Sequence, residues 1–245
     1  MAYDFTTRRL FIEDGLSDGA EIPLSADQTN YLLNVLRLDA GAEILAFNGR
    51  DGEWRARIEK TGKKKAKLVA GEKTREQTPP SDLAYLFAPL KQARLDYMAQ
   101  KAVEMGAGRL QPVITQFTQV RHVKVERIRS NAVEAAEQCG VLTIAQVAEP
   151  LPLAEAVEAL EDDRVLVFCD EQHRGDAVAP LTELRGRKLA VLVGPEGGFS
   201  EVERSALAGR KSTVTISLGP RILRADTAAV AALAVVQAAA GDWSA

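Results

Sequence analysis

Five short apolar runs dominate the last two thirds of the chain: "LAYLFAPL", "RLQPVIT", "RVLVFCDE", "KLAVLVG" and "STVTISLG". They read as strands, and the segments between them read as amphipathic helices at about 93–106, 125–139, 153–161, 200–209 and 225–240. Strands that are apolar throughout must be covered on both faces, and alternation with helices supplies the covers. The fold class expected is therefore α/β, with a parallel sheet between helical layers. Such a sheet gathers its ligand contacts outside the C-terminal ends of its strands. Two glycine-proline loops fall at such ends, "VGPEGGFS" from Val193 and "LGPRILRADT" from Leu218.

The first seventy residues have a different texture. "TRRLFI", "EILAFN", "EWRARIEK" and "KAKLVA" carry strand-type patterning, and "NGRDGE" supplies glycines for a hairpin connection. One helix interrupts them, with Ser25 as its cap and Gln28 at the reciprocal position. Short strands and one helix predict a small, partly closed barrel over residues 1–72. A polar stretch with Pro79-Pro80 reads as a linker over 73–82, which leaves 83–245 as the α/β domain.

Composition narrows the function classes. The N-terminus has no apolar signal-type core, and the alanine-rich run 227–241 is shorter than the ~18 residues of a membrane span. A cytoplasmic protein is expected. The two cysteines, Cys139 and Cys169, and the two histidines, His122 and His173, have no metal-ligand spacing, so no metal is expected. Net charge is −3, yet residues 53–76 are strongly basic, with Lys63, Lys64 and Lys65 following Arg55 and Arg57. A basic edge on a small β domain suits phosphate contacts, although a lysine run can also be no more than a solvated tip.

Neither glycine loop is a phosphate loop. GxxxxGK[ST] needs a lysine that is absent, and Pro195 and Glu196 break GxGxxG spacing. Ser200 and Glu203 form an S-x-x-E box, so the next helix satisfies its own N-terminus. Two such loops at strand ends of one sheet instead suggest a pocket of backbone amides and carbonyls suited to an adenine edge, with Arg221 and Arg224 nearby.

"VGPEGGFS" with "LGPRILRADTAA", preceded by "QKAVEMGA" and "EQCG", resembles the RsmE family of bacterial 16S ribosomal RNA (uracil-N3) methyltransferases, within the SPOUT superfamily. The resemblance covers the whole chain. It implies a PUA-like RNA-binding barrel at the N-terminus, where Arg8-Arg9 match an "RR"-type start, and a C-terminal trefoil knot holding S-adenosylmethionine. It also implies a homodimer acting on 16S ribosomal RNA or the small ribosomal subunit. Carried over residue by residue, Val193, Gly194, Pro195, Glu196 and Gly197 form one wall of the donor site, and Leu218, Gly219, Leu223 and Arg224 the other. Asp226 is the expected base and Arg224 the electrostatic stabiliser, with Glu196 the alternate base. Capping of the last helix is the competing role for Asp226. Arg8, Arg9, Lys63, Lys64 and Lys65 are the expected RNA contacts. Two departures stand out: Ala225-Asp226 replaces the family's Thr-Glu, and Val141 replaces the arginine after "EQCG". The other functions compatible with the chain are ribose 2′-O methylation and non-catalytic RNA binding in ribosome assembly. The first lacks its Ser-Leu-Asn signature here, and the second predicts no donor site.

Overall fold

The computed structural model describes residues 4–176 and 178–244. The chain divides into two units, one of residues 1–79 with 136–144, the other of residues 80–135 with 145–245.

The first unit contains β1 (Arg9–Phe11), β2 (Glu21–Pro23), α1 (Ala26–Asn30), β3 (Glu43–Phe47), β4 (Glu53–Gly62) and β5 (Lys65–Arg75). They form one five-stranded sheet in the order β1-β3-β4-β5-β2. β1 lies parallel to β3 and the other neighbours are antiparallel. Among the described residues the end strands β1 and β2 do not pair with each other, so the partly closed barrel expected from sequence is not closed by strand pairing. The hairpin between β3 and β4 turns on Gly49 and Gly52, whose φ values of 80° and 84° favour glycine. α1 is held by the reciprocal Ser25–Gln28 box expected from sequence. It then widens into a single π-helical stretch, Tyr31–Val35, which the sequence pattern did not distinguish from ordinary helix.

The linker expected over 73–82 begins later: β5 continues to Arg75, because Arg75 and Lys73 still pair with Glu53 and Trp54 of β4. Residues 136–144 join the first unit through Ala136 and Leu142, which pack with Phe47 in a small apolar cluster.

The second unit contains β6 (Ala84–Phe87), α2 (Gln92–Glu104), β7 (Arg109–Ile114) and α3 (Val125–Cys139), whose last turn is counted with the first unit. There follow β8 (Gln146–Val147), β9 (Leu151–Pro152), α4 (Leu153–Glu158), β10 (Val165–Cys169) and α5 (Ala179–Thr182). The chain continues through β11 (Leu189–Val193), α6 (Glu201–Gly209), β12 (Thr213–Ile216) and α7 (Ala225–Ala240). The sheet order is β12-β10-β11-β6-β7-β8, all parallel, with β9 also on β7. Every residue of β10 and β11 is buried, as full coverage requires. Their side chains alternate between two cores. Val165, Val167, Val191 and Val193 face α2, α3 and α7. Leu166, Phe168, Ala190 and Leu192 face α4 and α6. Gln237, the polar residue in the alanine-rich α7, is buried yet satisfied: its Nε2 donates to the Met105 carbonyl at 2.8 Å and its Oε1 accepts from Asp242 N at 3.0 Å.

This order positions the site. From β10 the chain passes to β11 on one side and then to β12 on the other. Loops leaving in opposite directions open a crevice above β10, which is where open α/β sheets bind ligands.

Candidate active site

A cavity of about 480 Å³ lies in that crevice, a size within the roughly 300–1,000 Å³ of small-molecule sites. Three strand ends build it. The loop after β11 contributes Val193, Gly194, Pro195, Glu196, Gly197 and Gly198. The loop after β12 contributes Leu218, Gly219, Pro220, Arg221, Ile222 and Leu223, and α7 adds Ala225 and Ala228. The end of β10 contributes Cys169, Asp170, Glu171 and Arg174. Eight residues expected from sequence therefore meet around one cavity. Arg224 and Asp226 do not line it. Arg224 is exposed, and Asp226 is half-buried in the first turn of α7 beside the lining residue Ala225.

The wall supplied by β10 was not anticipated. Its signal was present, since "RVLVFCDE" is another apolar run ending in polar residues, but no glycine marked the end. Burial pushes the Cys169 thiol up to about 12, so it stays protonated and packs as a small apolar group. Asp170 and Glu171 form the acidic part of the wall. Arg204 of α6 holds both: it ion-pairs with Asp170 and with Glu171 at 3.1 Å, and donates to the Phe199 carbonyl at 3.1 Å. One guanidinium thus ties the end of β10 to the last turn of the Gly-Pro-Glu-Gly-Gly loop.

The glycines of that loop have separate reasons. A Cβ on Gly194 would stand 2.5 Å from the Phe199 ring, and one on Gly198 would collide with Glu171 Oε1. Phe199 is itself buried and packs edge-on against Phe168 with centroids 5.0 Å apart. Gly219 differs: nothing lies within 4 Å of its missing Cβ, and its φ is 99°. There the glycine serves backbone geometry, and the space beside it is open for a ligand.

Glu196 is half-exposed and paired with Arg94 of α2 at 2.9 Å. The pair holds the loop against α2 and occupies one carboxylate oxygen, which makes positioning the better-supported role for Glu196. Asp226 accepts from Thr227 N at 3.0 Å through Oδ1, and Oδ2 has no partner among the described residues. It is not the helix cap, because Arg224 occupies that position, without a side-chain bond. The fully buried Tyr85 phenol is pushed well above its usual range, chiefly by burial, with the Asp226 charge acting in the same direction.

The residues expected to touch RNA separate into two kinds. Arg8 and Lys63, Lys64 and Lys65 are exposed, the lysines at the turn between β4 and β5. Arg9 is not available: it is buried and bonded to Glu53 at 2.9 Å. Strand alternation explains this, since Arg8 and Arg9 must point to opposite faces. Arg55, Arg57 and Lys67 pair with Glu43, Glu59 and Glu21. The basic edge is thus neutralised along the strands and free mainly at its tip.

Among the described residues no group of three or more His, Cys, Asp or Glu could hold a metal, and no helix is long and apolar enough to cross a membrane. The cavity has the parts a nucleoside-based methyl donor needs: apolar walls from Leu218, Ile222 and Leu223, the Asp170 and Glu171 carboxylates just after β10 for hydroxyl or cationic groups, and Arg174 and Arg221 for a carboxylate.

Comparison with known proteins gives the family of the chain. Residues 77–237 match an RNA methyltransferase domain family and residues 24–70 an RNA methyltransferase PUA domain family. The ribosomal RNA small subunit methyltransferase E of Rickettsia conorii is 31% identical over 232 residues, covering 94% of each chain. A protein of Legionella pneumophila, solved in complex with the bound cofactor SAM, superposes with a TM-score of 0.85 at 30% identity over 96% of this chain and 99% of that one. The ribosomal RNA small subunit methyltransferase E of Neisseria gonorrhoeae, bound to S-adenosyl methionine, gives 0.84 at 27% identity, over 94% and 97% of the two chains. Similarity along nearly the full length, with the glycine loops folded around one cavity, places the chain in the RsmE family of RNA methyltransferases.

Proposed function

We propose that the protein transfers a methyl group from S-adenosylmethionine to N3 of a uridine in 16S ribosomal RNA. The observation that carries this reading is the cavity above β10, closed by the 193–198 and 218–223 loops and followed at once by Arg224 and Asp226. Bound there, S-adenosylmethionine supplies an electrophilic methyl on a cationic sulfur. Val193, Gly194, Pro195 and Gly197 hold it on one side and Leu218, Gly219 and Leu223 on the other, with Asp170 and Glu171 from β10.

The chain's own residues handle the proton. Uracil N3 is a weakly acidic imide and becomes nucleophilic once its proton leaves. Asp226 Oδ2, free of other partners among the described residues, accepts that proton directly or through water. The Arg224 guanidinium offsets negative charge developing on the flanking carbonyl oxygens. N3 lies on the pairing edge, so the uridine enters unpaired or splayed out.

The knot, the closed PUA-like barrel, the cytoplasmic location and the homodimer belong to the same reading. The knot is supported by the path after β11: α6 packs on one face of the sheet and α7 returns on the other. The dimer is supported by α7, where Val230, Ala231 and Ala234 form a half-buried apolar stripe away from its core face. Sedimentation at micromolar concentration is expected to give twice the chain mass. A fully active monomer would remove the dimer from the reading.

The test of function uses small ribosomal subunits and naked 16S RNA from cells lacking the corresponding methyltransferase, with methyl-labelled S-adenosylmethionine. Mass spectrometry is expected to find N3-methyluridine, and Asp226→Asn to lower kcat/KM by about 10²–10⁴-fold. Label on a ribose oxygen would establish the sister chemistry, and donor binding without transfer would leave an assembly factor. Lys63, Lys64 and Lys65 are expected to serve RNA alone. Replacing all three with alanine should flatten the log–log salt dependence of RNA binding by ~0.7–0.9 for each phosphate no longer neutralised, while calorimetric donor binding stays unchanged. An unchanged salt slope assigns them to a solvated tip.

A further inference from the structure

The loop that follows β7 opens at the same end of the sheet as the cavity, because β6 runs parallel to both β7 and β11. Its first turn is built rigidly. Thr115 and Thr118 are buried, their hydroxyls lie 2.9 Å apart, and Thr115 N donates to Thr118 Oγ1 at 2.9 Å. Gln116 N donates to Glu203 Oε1 at 2.8 Å, while the other oxygen of Glu203 closes the capping box of α6. Between these anchors stands Phe117, an aromatic side chain left 42% exposed. A Cβ on the cavity-lining Gly197 would lie 3.1 Å from the Phe117 Cβ. Phe117 is therefore seated against the rim of the cavity, and its ring stacks on no other aromatic side chain among the described residues. After it come Arg121, Lys124 and Arg129, all exposed and without an ion-pair partner among the described residues, whereas Arg127 is bound to Asp96 at 2.7 Å.

We propose that Phe117 is the stacking platform for the uracil delivered to the cavity, with Arg121 and Lys124 contacting the adjoining RNA backbone. The assignment rests on the RNA methylation reading and names how that substrate is held. A rigid exposed ring beside a ligand cavity offers stacking at little entropic cost, and stacking leaves the N3 edge of the base in its own plane, free to face into the cavity. Exposed cations a few residues further along the chain complement phosphate. The core of a protein interface is instead depleted of charge, so an exposed ring followed in sequence by exposed basic residues suits RNA better than a second copy of the chain.

The experiment measures binding of single-stranded oligouridylate and of 16S RNA over a range of salt, together with donor binding by calorimetry and mass by sedimentation. Phe117→Ala is expected to weaken RNA binding about ten- to a hundredfold with no change in salt slope, since it removes no cation from the phosphates. Arg121→Ala and Lys124→Ala are each expected to flatten the slope by ~0.7. Phe117→Trp should restore affinity, and its added emission, read as a difference from the parent, should be quenched by RNA. Donor affinity should stay within about twofold in every variant, given that no donor-site backbone changes. The assignment is overturned if Phe117→Ala binds RNA like the parent, if its effect falls on self-association, or if donor affinity drops in step with RNA affinity. A parent that methylates RNA independently of Phe117 sinks the stacking role alone. A parent whose RNA binding depends on Phe117 but which transfers no methyl group sinks the methylation reading alone.

Discussion

Replacing Glu53 with alanine is expected to lower the unfolding free energy of the first unit by about 3–5 kcal/mol, the usual cost of breaking a buried ion pair by removing one partner. Glu53 opens β4 and is almost fully buried. Arg9 Nε reaches it at 2.9 Å, Arg75 through Nε at 3.0 Å and Nη2 at 2.7 Å, and Thr74 Oγ1 at 2.9 Å. Without the carboxylate, the buried Arg9 guanidinium loses the bond made through its Nε, and Arg75 loses two. The pH dependence has a definite sign. Burial raises the Glu53 carboxyl, but hydrogen bonds from Arg75, Thr74 and Arg9 outweigh it and hold the group below its ordinary value. A depressed carboxylate stabilises the fold above its unfolded pKa, roughly 4.3, and that stability is lost as pH falls through the folded value. The gap between parent and Glu53→Gln should therefore be widest near neutral pH and close below about pH 4. Denaturant titration followed by Trp54, which sits beside Glu53 in β4, reads this directly. A gap under about 1 kcal/mol at pH 7 would show that the pair contributes no more than a surface one.

Gly194→Val should abolish donor binding and also destabilise the second unit. The new Cβ overlaps the Phe199 ring, and Phe199 cannot retreat without disturbing its packing on Phe168. Overpacking of this kind costs about 1–3 kcal/mol. A side chain at 194 displaces core before it fills any ligand space. Gly219→Ala provides the contrast. Its Cβ meets nothing within 4 Å, but a φ of 99° strains an alanine by about 1–3 kcal/mol. The loop is expected to relax, moving Leu218 and Leu223 and weakening the donor while the core stays intact. Calorimetry with S-adenosylmethionine and thermal unfolding on both variants separate these effects. Parent-like donor affinity in a folded Gly194→Val protein would refute the site.

Much of the site was legible because its signals are local. The reciprocal boxes at Ser25–Gln28 and Ser200–Glu203 involve residues three apart, and both form as expected. Full burial of β10 and β11 follows from runs without polar residues. The two glycine-proline loops announced themselves as strand ends, and eight of the residues they supplied line one cavity. β2, three residues of ordinary composition, was not legible, because it becomes a strand only by pairing with β5.

What the sequence by itself determined about this protein is its family, its helix caps, its alternation of strand and helix, and the two loops able to approach a ligand. Each depends on neighbours within a turn or a strand. Tertiary structure alone decided which strand ends meet and which charges remain free. It brought Asp170 and Glu171 to the cavity by placing β10 between β11 and β12. It paired Glu196 with Arg94, 102 residues away, and turned Arg9 from a surface cation into the partner of a buried carboxylate. It also set Phe117 against Gly197. Whether a side chain of given chemistry faces solvent, ligand or counter-charge depends on chain segments distant in sequence, and only packing brings those together.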